Sequence, residues 1–537
     1  MCSPSTIPYP ELPGARFTSL TASLVSNLTV QIPRGGYTNH GAVSAEGVSY
    51  CHVTTTYAHT GQDETITVDV YLPTSGWNGR MQGVGGGGWI AGGANARVTG
   101  PSMLGAVANG YAAVTTDAGH ASPDPYDWVL KSPGVVNQHL LDDFATSSLN
   151  EVSIIGKAIV ESHYGTPPTY SYWNGCSQGG RQGLKLASSY PNAFDGIAAS
   201  APVVDLIGVG MGNLWPYVFM NALGHYSKNC ELAAIGEAAI DQCDGDDGLL
   251  DGIISYPDGC KFDPYSVVGQ AISCNDTGIP EIVHISETAA KIANATWTGP
   301  RSIDDSIPWW GLKKGARLVE ENLGFMTIPG LATTVCSTNG TCVGKPNGVA
   351  EQWAKLLVKK DPAFDVSTVT IEEFQEMYEI STQEYGPAFE TEPNLDAFRD
   401  AGGKMISFHG LADTVVPPDS TRHFFDRVAA KDKQVHDYYR LFEAAGLGHC
   451  SFGLGGYYPE GIFDALVSWV ESDIIPGRLV AHTGPMNGTE RSSILCPYPQ
   501  KPYYNALGSY ARLDDFLCED WPPWMDELGN LALPSFG

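Results

Sequence analysis

The chain is poor in basic residues: 30 lysines and arginines stand against 59 aspartates and glutamates, which gives a formal net charge of -29. A surface this acidic is a poor partner for nucleic acid or for an anionic membrane, because both attract positive charge. No apolar run approaches the roughly 20 residues that a membrane-spanning helix needs. We therefore expect no nucleic acid and no membrane among its partners.

Zinc-type C-x-x-C pairs and a hydrophobic signal segment at the N-terminus are also missing. The 12 cysteines are even in number and spread along the chain, and five Asn-x-Ser/Thr sequons accompany them. This combination predicts a secreted, disulfide-bonded glycoprotein whose signal peptide has been removed. A cytosolic protein with reduced thiols is the alternative. The candidate glycosylation sites are Asn27, Asn275, Asn294, Asn339 and Asn487.

The most informative segment surrounds Ser177. It has the pattern G-x-S-x-G between Gly175 and Gly179, after a strand-like run and before a helix-compatible stretch that ends near Tyr190. A strand that turns directly into a helix leaves no room for Cβ atoms beside the serine, and the turn presents the hydroxyl to substrate at a helix N-terminus. The segment predicts the nucleophile of a serine hydrolase.

The organisation of the chain predicts an α/β protein. Strand-like patterns at 60–75, 80–84 and 111–117 alternate with a glycine loop and a helical segment at 144–163. This alternation indicates a mainly parallel sheet with helices on both faces. The pattern changes after about residue 203 and returns to sheet character at 403–408. We therefore expect a catalytic domain formed by 1–204 and 396–537, with 205–395 inserted as a capping domain.

A nucleophilic serine needs a base and an orienting acid, which follow it in the order Ser, Asp or Glu, His in this architecture. Asp413 lies in a tight loop after an apolar strand, and His449 lies in a glycine-rich loop 36 residues later. These positions predict a Ser177–Asp413–His449 triad. His409 at a strand end is the weaker candidate base and is more typical of a structural donor. His120 is expected to fix a loop beside the site.

Two backbone N–H donors are expected to stabilise the oxyanion. One is Gln178, directly after the nucleophile, and the other comes from the glycine run that includes Gly87 and Gly88. A flexible turn is the alternative interpretation of that run. Cys176 directly precedes Ser177 and Cys450 directly follows His449, so contact between serine and histidine would bring the two cysteines into bonding range.

An acidic loop, Asp244-Gly-Asp-Asp-Gly-Leu-Leu-Asp-Gly-Ile253, offers hard oxygen ligands at short spacing, with glycines that permit tight curvature. Such a loop suits Ca²⁺, although the twelve-residue EF-hand pattern is missing. Cys243 and Cys260 bracket the loop and are expected to bond, as are Cys496 and Cys518 near the C-terminus. A solvated acidic turn is the alternative to a structural calcium site.

These features together resemble the tannase family and, within it, fungal feruloyl esterases. The resemblance rests on Gly85–Gly88, Gly175–Gly180, the Asp244–Ile253 loop, His409–Asp413 and Gly448–Cys450. It implies an α/β-hydrolase fold with a large inserted lid domain, the same triad and a Cys176–Cys450 bridge. It also implies Ca²⁺ held by the Asp244, Asp247 and Asp251 side chains with the Leu249 and Ile253 carbonyls, and Cys2–Cys51 and Cys496–Cys518 pairs. For the remaining cysteines we expect Cys230–Cys274 and Cys336–Cys342.

The expected function is that of a secreted feruloyl esterase, which releases ferulic and related hydroxycinnamic acids from plant cell-wall polysaccharide esters. A tannase that cleaves galloyl esters is the nearest alternative, and a non-catalytic wall-binding protein is a more distant one. Aromatic side chains of the inserted domain suit a flat aromatic acid, although they also suit a domain core. They are Trp215, Tyr217, Phe219, Trp309, Trp310 and Phe325.

Overall fold

The computed structural model describes residues 2–120, 122–301, 309–322, 327–451, 455–484, 490–504 and 512–519. Its centre is a mixed sheet of nine strands, whose order across the sheet is β1-β2-β3-β5-β4-β6-β7-β8-β9. The strands are β1 (Ala15–Ile32), β2 (Val43–His59), β3 (Ile66–Pro73), β4 (Arg80–Val84), β5 (Ala112–Thr116), β6 (Tyr170–Cys176), β7 (Gly196–Ser200), β8 (Lys404–Gly410) and β9 (Tyr439–Ala444).

Parallel pairing dominates the part of the sheet that carries the predicted site. Strands β5, β4, β6, β7, β8 and β9 pair in parallel, whereas β1, β2 and β3 join the β5 edge as antiparallel neighbours. The chain runs from β4 outward to β5 and then returns to β6 on the other side of β4. The strand order therefore reverses beside β4 and β6, where open α/β sheets form crevices at the carboxyl ends of their strands.

Helices cover both faces of the parallel strands, which explains why these strands are buried throughout. Met81, Trp173 and Met405 face one core with the helices α3, α4 and α12, while their neighbours Tyr172 and Ile406 face another core with α1 and α13. The alternation follows from the two-residue period of a strand. The helices of this part are α1 (Gly100–Ala108), α2 (Gln138–Asp142), α3 (Ser148–Tyr164), α4 (Gln178–Ser189), α12 (Pro418–Lys431) and α13 (Ile462–Ser472).

The chain between β7 and β8 is mainly helical and has a core of its own. One cluster of buried side chains, from Met220 to Ala332, comes from this segment alone. A second cluster joins it to the sheet, since Trp309 and Trp353 pack there with Trp89 and Phe144. Its helices are α5 (Leu206–Gly212), α6 (Trp215–Leu223), α7 (Asn229–Cys243), α8 (Glu287–Thr298), α9 (Gly348–Gln352), α10 (Ile371–Phe389) and α11 (Asp396–Asp400).

Short antiparallel strand pairs, two π-helical turns and several single 3-10 turns make up the rest of the described regular structure. The π-helical turns are Asp143–Ser147, between α2 and α3, and Trp353–Val358, after α9. The strand pairs are Leu130–Ser132 with Val135–Val136, Ala271–Cys274 with Glu281–His284, Glu321–Asn322 with Thr327–Ile328, Thr334–Cys336 with Cys342–Gly344, Leu479–His482 with Ser492–Leu495 and Lys501–Tyr504 with Phe516–Glu519.

All twelve cysteines are paired in disulfide bonds, and the pairs are those that the sequence analysis expects. Three of the six bonds lie within the segment between β7 and β8, and one joins β6 to the loop after β9. The bonds are Cys2–Cys51, Cys176–Cys450, Cys230–Cys274, Cys243–Cys260, Cys336–Cys342 and Cys496–Cys518.

Candidate active site

Ser177 occupies the sharp turn between β6 and α4. Its backbone is in a region that L-residues rarely adopt, with φ 61° and ψ -121°. A Cβ atom on Gly175 would lie 2.4 Å from the carbonyl of Gly179, so glycine is required for the strand and helix to approach this closely. The Ser177 N–H donates to the Ser200 carbonyl at 3.0 Å, which ties the turn to β7. The serine therefore stands at the switch point of the sheet.

His449 and Asp413 are joined directly. His449 Nδ1 lies 2.7 Å from Asp413 Oδ2. Asp413 is fully buried, and its other oxygen accepts the N–H groups of Val415 and Val416 at 2.8 and 2.9 Å. A carboxylate in this position fixes the Nδ1–H tautomer and leaves Nε2 as the acceptor for a proton. The pair has the arrangement of a base and its orienting acid.

His409 is a second donor to the same carboxylate. Its Nε2 lies 3.1 Å from Asp413 Oδ2 and 3.0 Å from the Val416 carbonyl, while its Nδ1 lies 2.8 Å from Thr421 Oγ1. Burial alone would raise the pKa of Asp413, but the charge of His449 and the hydrogen bonds from both histidines hold it well below its usual range. Asp413 is therefore an ionised group at neutral pH.

The disulfide Cys176–Cys450 links the two loops that carry the serine and the histidine. Its Cα atoms are 5.9 Å apart, and its cysteines directly precede Ser177 and directly follow His449. Cys450 has φ 60°, and the Ser451 hydroxyl donates to the Gly35 carbonyl at 3.1 Å, so the loop after the histidine is held on both sides. The structure thus gathers Ser177, His449 and Asp413 in one neighbourhood.

Two backbone donors remain near the serine turn. Gln178 is the first residue of α4, so its N–H has no acceptor within the helix. Gly87 is less suitable than the sequence analysis expects, because its N–H already donates to the Ile90 carbonyl at 3.0 Å. The next residue, Gly88, adopts φ 58° and makes no backbone hydrogen bond through its N–H within the described ranges.

The glycine loop after β4 packs against the start of α4. A Cβ atom on Gly86 would lie 1.9 Å from the Ile90 carbonyl oxygen, and one on Gly85 would lie 2.6 Å from Gly179 Cα. The Gly179 N–H donates to the Gly86 carbonyl at 3.0 Å. Backbone can approach backbone here only without side chains. These contacts favour a fixed loop over a flexible turn.

A buried amide network lies beneath the turn, and sequence reasoning missed it. Asn39 Nδ2 donates to Asn174 Oδ1 at 2.7 Å, and the Ser200 hydroxyl donates to Asn39 Oδ1 at 2.5 Å. Asn174 Nδ2 in turn donates to the Thr38 carbonyl at 3.0 Å. Because 135 residues separate Asn39 from Asn174, no local pattern indicates this contact.

Arg181 is a second residue that the sequence does not reveal. It is fully buried on α4, and its donors reach the Gln178 side chain at 2.8 Å and the Ala145 and Phe144 carbonyls at 2.8 and 2.9 Å. No salt bridge to a carboxylate is formed by Arg181 within the described part of the chain. Burial lowers the pKa of Arg181 to about 9. A positive charge thus lies one helical turn from the serine.

Aromatic side chains surround the loops beside the serine. Trp89, directly after Gly88, packs with Trp128 and Trp353, with ring centroids 6.1 Å apart in each pair. His120 stacks on Trp128 at 3.9 Å, and its Nε2 lies 2.9 Å from the Leu140 carbonyl. Burial lowers the pKa of His120 to about 4, so its ring is neutral and it fixes a loop.

The aromatic residues expected from the inserted segment are mostly core residues. Trp215, Tyr217 and Trp309 are buried, and Phe219 and Trp310 pack at the margin of the same cluster. Trp309 lies so close to α5 that a Cβ atom on Gly208 or Gly212 would overlap its ring. Phe325 lies outside the described residues.

A cavity of about 620 Å³ separates α7 from the loops that carry the acid and the base. Leu232 and Ile240 line it from α7. Gly448 and Thr414, the sequence neighbours of His449 and Asp413, line the opposite wall. The cavity is a candidate space for part of a bound ester.

The acidic loop folds its carboxylates onto its own backbone. Asp244 Oδ1 accepts the N–H groups of Asp251, Gly252 and Ile253 at 2.8 to 3.1 Å. Asp247 accepts the Leu249 N–H at 2.9 Å and the Ser255 hydroxyl at 2.6 Å. Tyr457 and Arg491 donate to the side chain and carbonyl of Asp251, each at 2.7 Å, so the loop also contacts the second part of the sheet domain.

The carboxylates of this loop are partly buried and repel one another. Burial raises the pKa of Asp247 to about 6, with a further contribution from the negative charges of Asp251 and Asp244. Burial and the charge of Asp244 also raise the pKa of Asp251, against the effect of Arg491. A cation beside these groups would remove the repulsion. Carboxylate and carbonyl oxygens are the ligands that Ca²⁺ prefers, so the residues present fit such an ion.

Four of the five sequons have an exposed asparagine: Asn27, Asn275, Asn294 and Asn339. The fifth, at Asn487, lies outside the described residues. Among the helices that the structure describes, none combines the length and the apolar character needed to cross a membrane.

A serine at a strand–helix turn, with a histidine oriented by a buried aspartate, defines a serine hydrolase site on an α/β sheet. The chain belongs to the tannase and feruloyl esterase family, whose model matches residues 51–519. A probable feruloyl esterase of Arthroderma benhamiae is 34% identical over 524 residues, which cover 96% of this chain and 93% of that protein. A tannase of Aspergillus oryzae is 27% identical over 542 residues, with 92% and 90% covered.

Solved structures agree on the fold. A tannin acyl hydrolase from Aspergillus niger superposes with a TM-score of 0.85 at 25% identity, covering 96% of this chain and 95% of that one. Feruloyl esterase B from Aspergillus oryzae gives a TM-score of 0.75 at 22% identity, with 95% and 97% covered.

Proposed function

We propose that this protein is a secreted carboxylic ester hydrolase that forms an acyl-enzyme on Ser177. It releases ferulic and related hydroxycinnamic acids from plant cell-wall polysaccharide esters. In this proposal 1–204 and 396–537 form an α/β-hydrolase domain, and 205–395 form its lid. The proposal rests on one observation. The Cys176–Cys450 disulfide holds the Ser177 turn beside the loop of His449, which is hydrogen-bonded to Asp413.

The first half-reaction transfers the acyl group to the serine. His449 Nε2 accepts the proton of Ser177 Oγ as that oxygen attacks the ester carbonyl carbon. Asp413 stabilises the imidazolium that forms and holds its orientation. His449 then returns the proton to the departing alkoxide, so the alcohol part of the ester lies on the histidine side of the serine.

The second half-reaction releases the acid. A water molecule gives a proton to His449 and attacks the acyl carbonyl, after which the serine regains the proton and leaves. In both steps the N–H groups of Gln178 and Gly88 donate to the oxyanion. Loss of one such donor from a serine hydrolase costs about 100- to 1000-fold in rate. Arg181, which fixes the Gln178 side chain, adds positive charge behind these donors.

The acyl group is assigned to the hydroxycinnamate class because the probable feruloyl esterase of Arthroderma benhamiae has the higher identity of the two curated relatives compared above, 34% against 27% for the tannase. The higher TM-score of the tannin acyl hydrolase structure favours galloyl esters as the second candidate.

The test is a comparison of kcat/KM for methyl ferulate, methyl caffeate, methyl p-coumarate and methyl gallate. We expect at least one hydroxycinnamate to exceed gallate about tenfold or more. A preference for gallate would assign the chain to the tannases instead. No turnover of any of the four esters would contradict the proposal as a whole.

We also propose that the acidic loop holds a structural calcium ion. Asp244, Asp247 and Asp251 would supply carboxylate oxygens, and Leu249 and Ile253 would supply carbonyls. The raised pKa values of Asp247 and Asp251 support this assignment. The loop contacts Tyr457 and Arg491, and a Cβ atom on Gly446 would touch Ile253, so an ordered loop supports the His449 loop mechanically.

The disulfide bonds and the sequons support the proposed secretion. Six disulfide bonds persist only in an oxidising compartment, and exposed sequons are acceptors for N-glycans in a secreted protein. Mass spectrometry of the native secreted protein, before and after glycosidase treatment, tests this part of the proposal.

A further inference from the structure

A second cluster of ionisable side chains lies at the end of β2, outside the site described above. His59 ends that strand, Glu64 lies in the loop that follows, and Asp143 begins the π-helical turn Asp143–Ser147. One ligand atom of each residue lies within 4.8 Å of the others. Cys230, Cys274 and Asp276 meet the same distance limit, but their two cysteines form a disulfide and are not available as ligands.

The distances within the cluster bracket those expected around a small tetrahedral ion. His59 Nδ1 lies 2.9 Å from Glu64 Oε1 and 3.8 Å from Asp143 Oδ1. A tetrahedral zinc ion with bonds of about 2.0 to 2.2 Å holds its ligand atoms about 3.3 to 3.6 Å apart. The two measured distances lie on either side of this range, and all three ligand atoms lie within 4.8 Å of one another, so an ion among them would draw Asp143 closer and move Glu64 away from the histidine nitrogen.

The opposite nitrogen of His59 has the partner that zinc-bound histidines have. Its Nε2 lies 2.7 Å from Glu151 Oε1, and the Tyr57 hydroxyl donates to the other oxygen of Glu151. A carboxylate on the far nitrogen fixes the ring orientation and makes the metal-facing nitrogen a stronger ligand. This contact does not depend on the acidic residues that face Nδ1.

The surroundings of Asp143 also indicate a cation in this cluster. The residue is 3% exposed, and its Oδ2 is buried without a hydrogen-bond partner among the residues that the structure describes, while Oδ1 accepts the Ser147 hydroxyl at 2.5 Å. A buried carboxylate oxygen with no partner is costly unless a cation compensates it. The His59 side chain is 25% exposed, which leaves room for a water molecule as a fourth ligand.

We propose that His59, Glu64 and Asp143 form a binding site for a zinc ion, with Glu151 orienting the histidine. Imidazole and carboxylate ligands in a tetrahedral set suit Zn²⁺ better than Ca²⁺, which prefers six to eight oxygens. The ion is structural, because the site is distinct from the serine turn. It stabilises the π-helical turn whose Phe144 and Ala145 carbonyls accept hydrogen bonds from Arg181.

The competing occupant of the cluster is a proton. A protonated His59 ring would donate to both Glu64 and Glu151 without any metal. Zinc binding from solution therefore distinguishes a metal site from a protonated histidine.

The full-length protein is treated with a chelator, dialysed into excess Ca²⁺ at neutral pH and titrated with ZnCl₂ against a chromogenic zinc indicator. We expect one zinc ion per chain and a rise of a few degrees in the melting temperature.

Three variants and one control assign the ion to the cluster. His59→Gln and Asp143→Asn should each weaken zinc binding at least tenfold. Glu151→Gln should weaken it about 10- to 100-fold, as loss of an orienting partner does. His139→Gln is the matched control, because His139 is exposed nearby on α2 and should leave binding unchanged. Far-UV circular dichroism verifies that each variant is folded.

X-ray absorption at the zinc edge on the wild-type protein gives a readout that needs no variant. One nitrogen and two or three oxygens at about 2.0 to 2.2 Å would support the site. Absence of stoichiometric zinc binding would overturn the proposal in favour of the proton. Zinc binding that is unchanged in His59→Gln and Asp143→Asn would overturn it in favour of a different site.

Discussion

Asp413 and Asp247 are both buried aspartates, yet their surroundings are opposite. Two histidines face Asp413 and hold its pKa below the usual range despite its burial, and two backbone N–H groups donate to its other oxygen. Burial raises the pKa of Asp247 to about 6, and two neighbouring carboxylates add to the effect. The comparison teaches that the polypeptide alone balances the charge of the triad aspartate, whereas the acidic loop keeps a mutual repulsion of carboxylates that the proposed calcium ion would relieve.

The covalent constraints of the two regions differ as well. Cys176–Cys450 closes a loop of 274 residues, and Cys243–Cys260 closes one of 17 residues beside the acidic loop. In the chain-entropy model these bonds contribute roughly 5 and 3 kcal/mol to the free energy of unfolding. The first bond joins the nucleophile to its base, so its loss should affect catalysis as well as stability.

The largest expected effect comes from removing the nucleophile. Ser177→Ala should lower kcat for methyl ferulate by about 10⁶-fold, as loss of the serine does in other triad enzymes. The melting temperature should change little, because the hydroxyl is placed for attack and has no packing role. Steady-state assays and calorimetry on the same preparation measure both quantities. Turnover within tenfold of wild type would remove Ser177 from the mechanism.

An intermediate effect is expected when Cys176 and Cys450 are both replaced by alanine. Displacement of the serine from the histidine by about 1 Å can cost on the order of 100-fold in rate. Turnover should therefore fall by about that factor even well below the melting temperature. The control lacks Cys496 and Cys518 and should keep its turnover. Full turnover in the first variant would reduce the Cys176–Cys450 bond to a stabilising cross-link.

The smallest effect on catalysis is expected from the acidic loop. Asp247→Ala, or prolonged chelation of the wild type, should lower the melting temperature by several degrees and leave kcat at moderate temperature nearly unchanged. An ion that binds only the folded state stabilises it by mass action. Calorimetry with and without chelator, together with elemental analysis, measures this. Unchanged melting and no bound calcium would leave the loop as a solvated turn.

The same residue gives a pH test with a definite sign. The folded-state pKa of Asp247, about 6, exceeds the usual value of about 3.9, so the folded state binds the proton more tightly. In metal-free protein the free energy of unfolding should therefore fall as the pH rises from about 4 to 6. Excess calcium should reduce this fall, whereas the similar contributions of Asp143 and Asp205, whose pKa values burial also raises to about 6, should persist. Asp247→Asn is the control, and a similar slope in that variant would assign the titration elsewhere.

Much of the site could be predicted from sequence because its determinants are local. The turn at Ser177 requires its flanking glycines, and Asp413 and His449 follow strands at positions that the sheet order dictates. The pairing of Cys176 with Cys450 followed from their adjacency to the serine and the histidine. The prediction for Gly87 was less accurate. Its N–H takes part in a β-bridge with Ile90, and no local sequence pattern indicates that contact.

The remaining features depend on contacts between distant segments. The buried network of Asn39, Asn174 and Ser200 joins three segments far apart in the chain. The helical segment predicted at 144–163 begins instead with the π-helical turn Asp143–Ser147. The Phe144 and Ala145 carbonyls of this turn accept hydrogen bonds from Arg181.

Covalent labelling tests the central claim most directly, that Ser177 is the nucleophile activated by His449 and Asp413. The folded protein is treated with a fluorophosphonate and digested, and the labelled peptide is identified by mass spectrometry. We predict a single adduct on Ser177, its absence from Ser177→Ala, and labelling at least 100-fold slower in His449→Ala. An adduct on another residue, or unreacted protein that still hydrolyses methyl ferulate, would contradict the account.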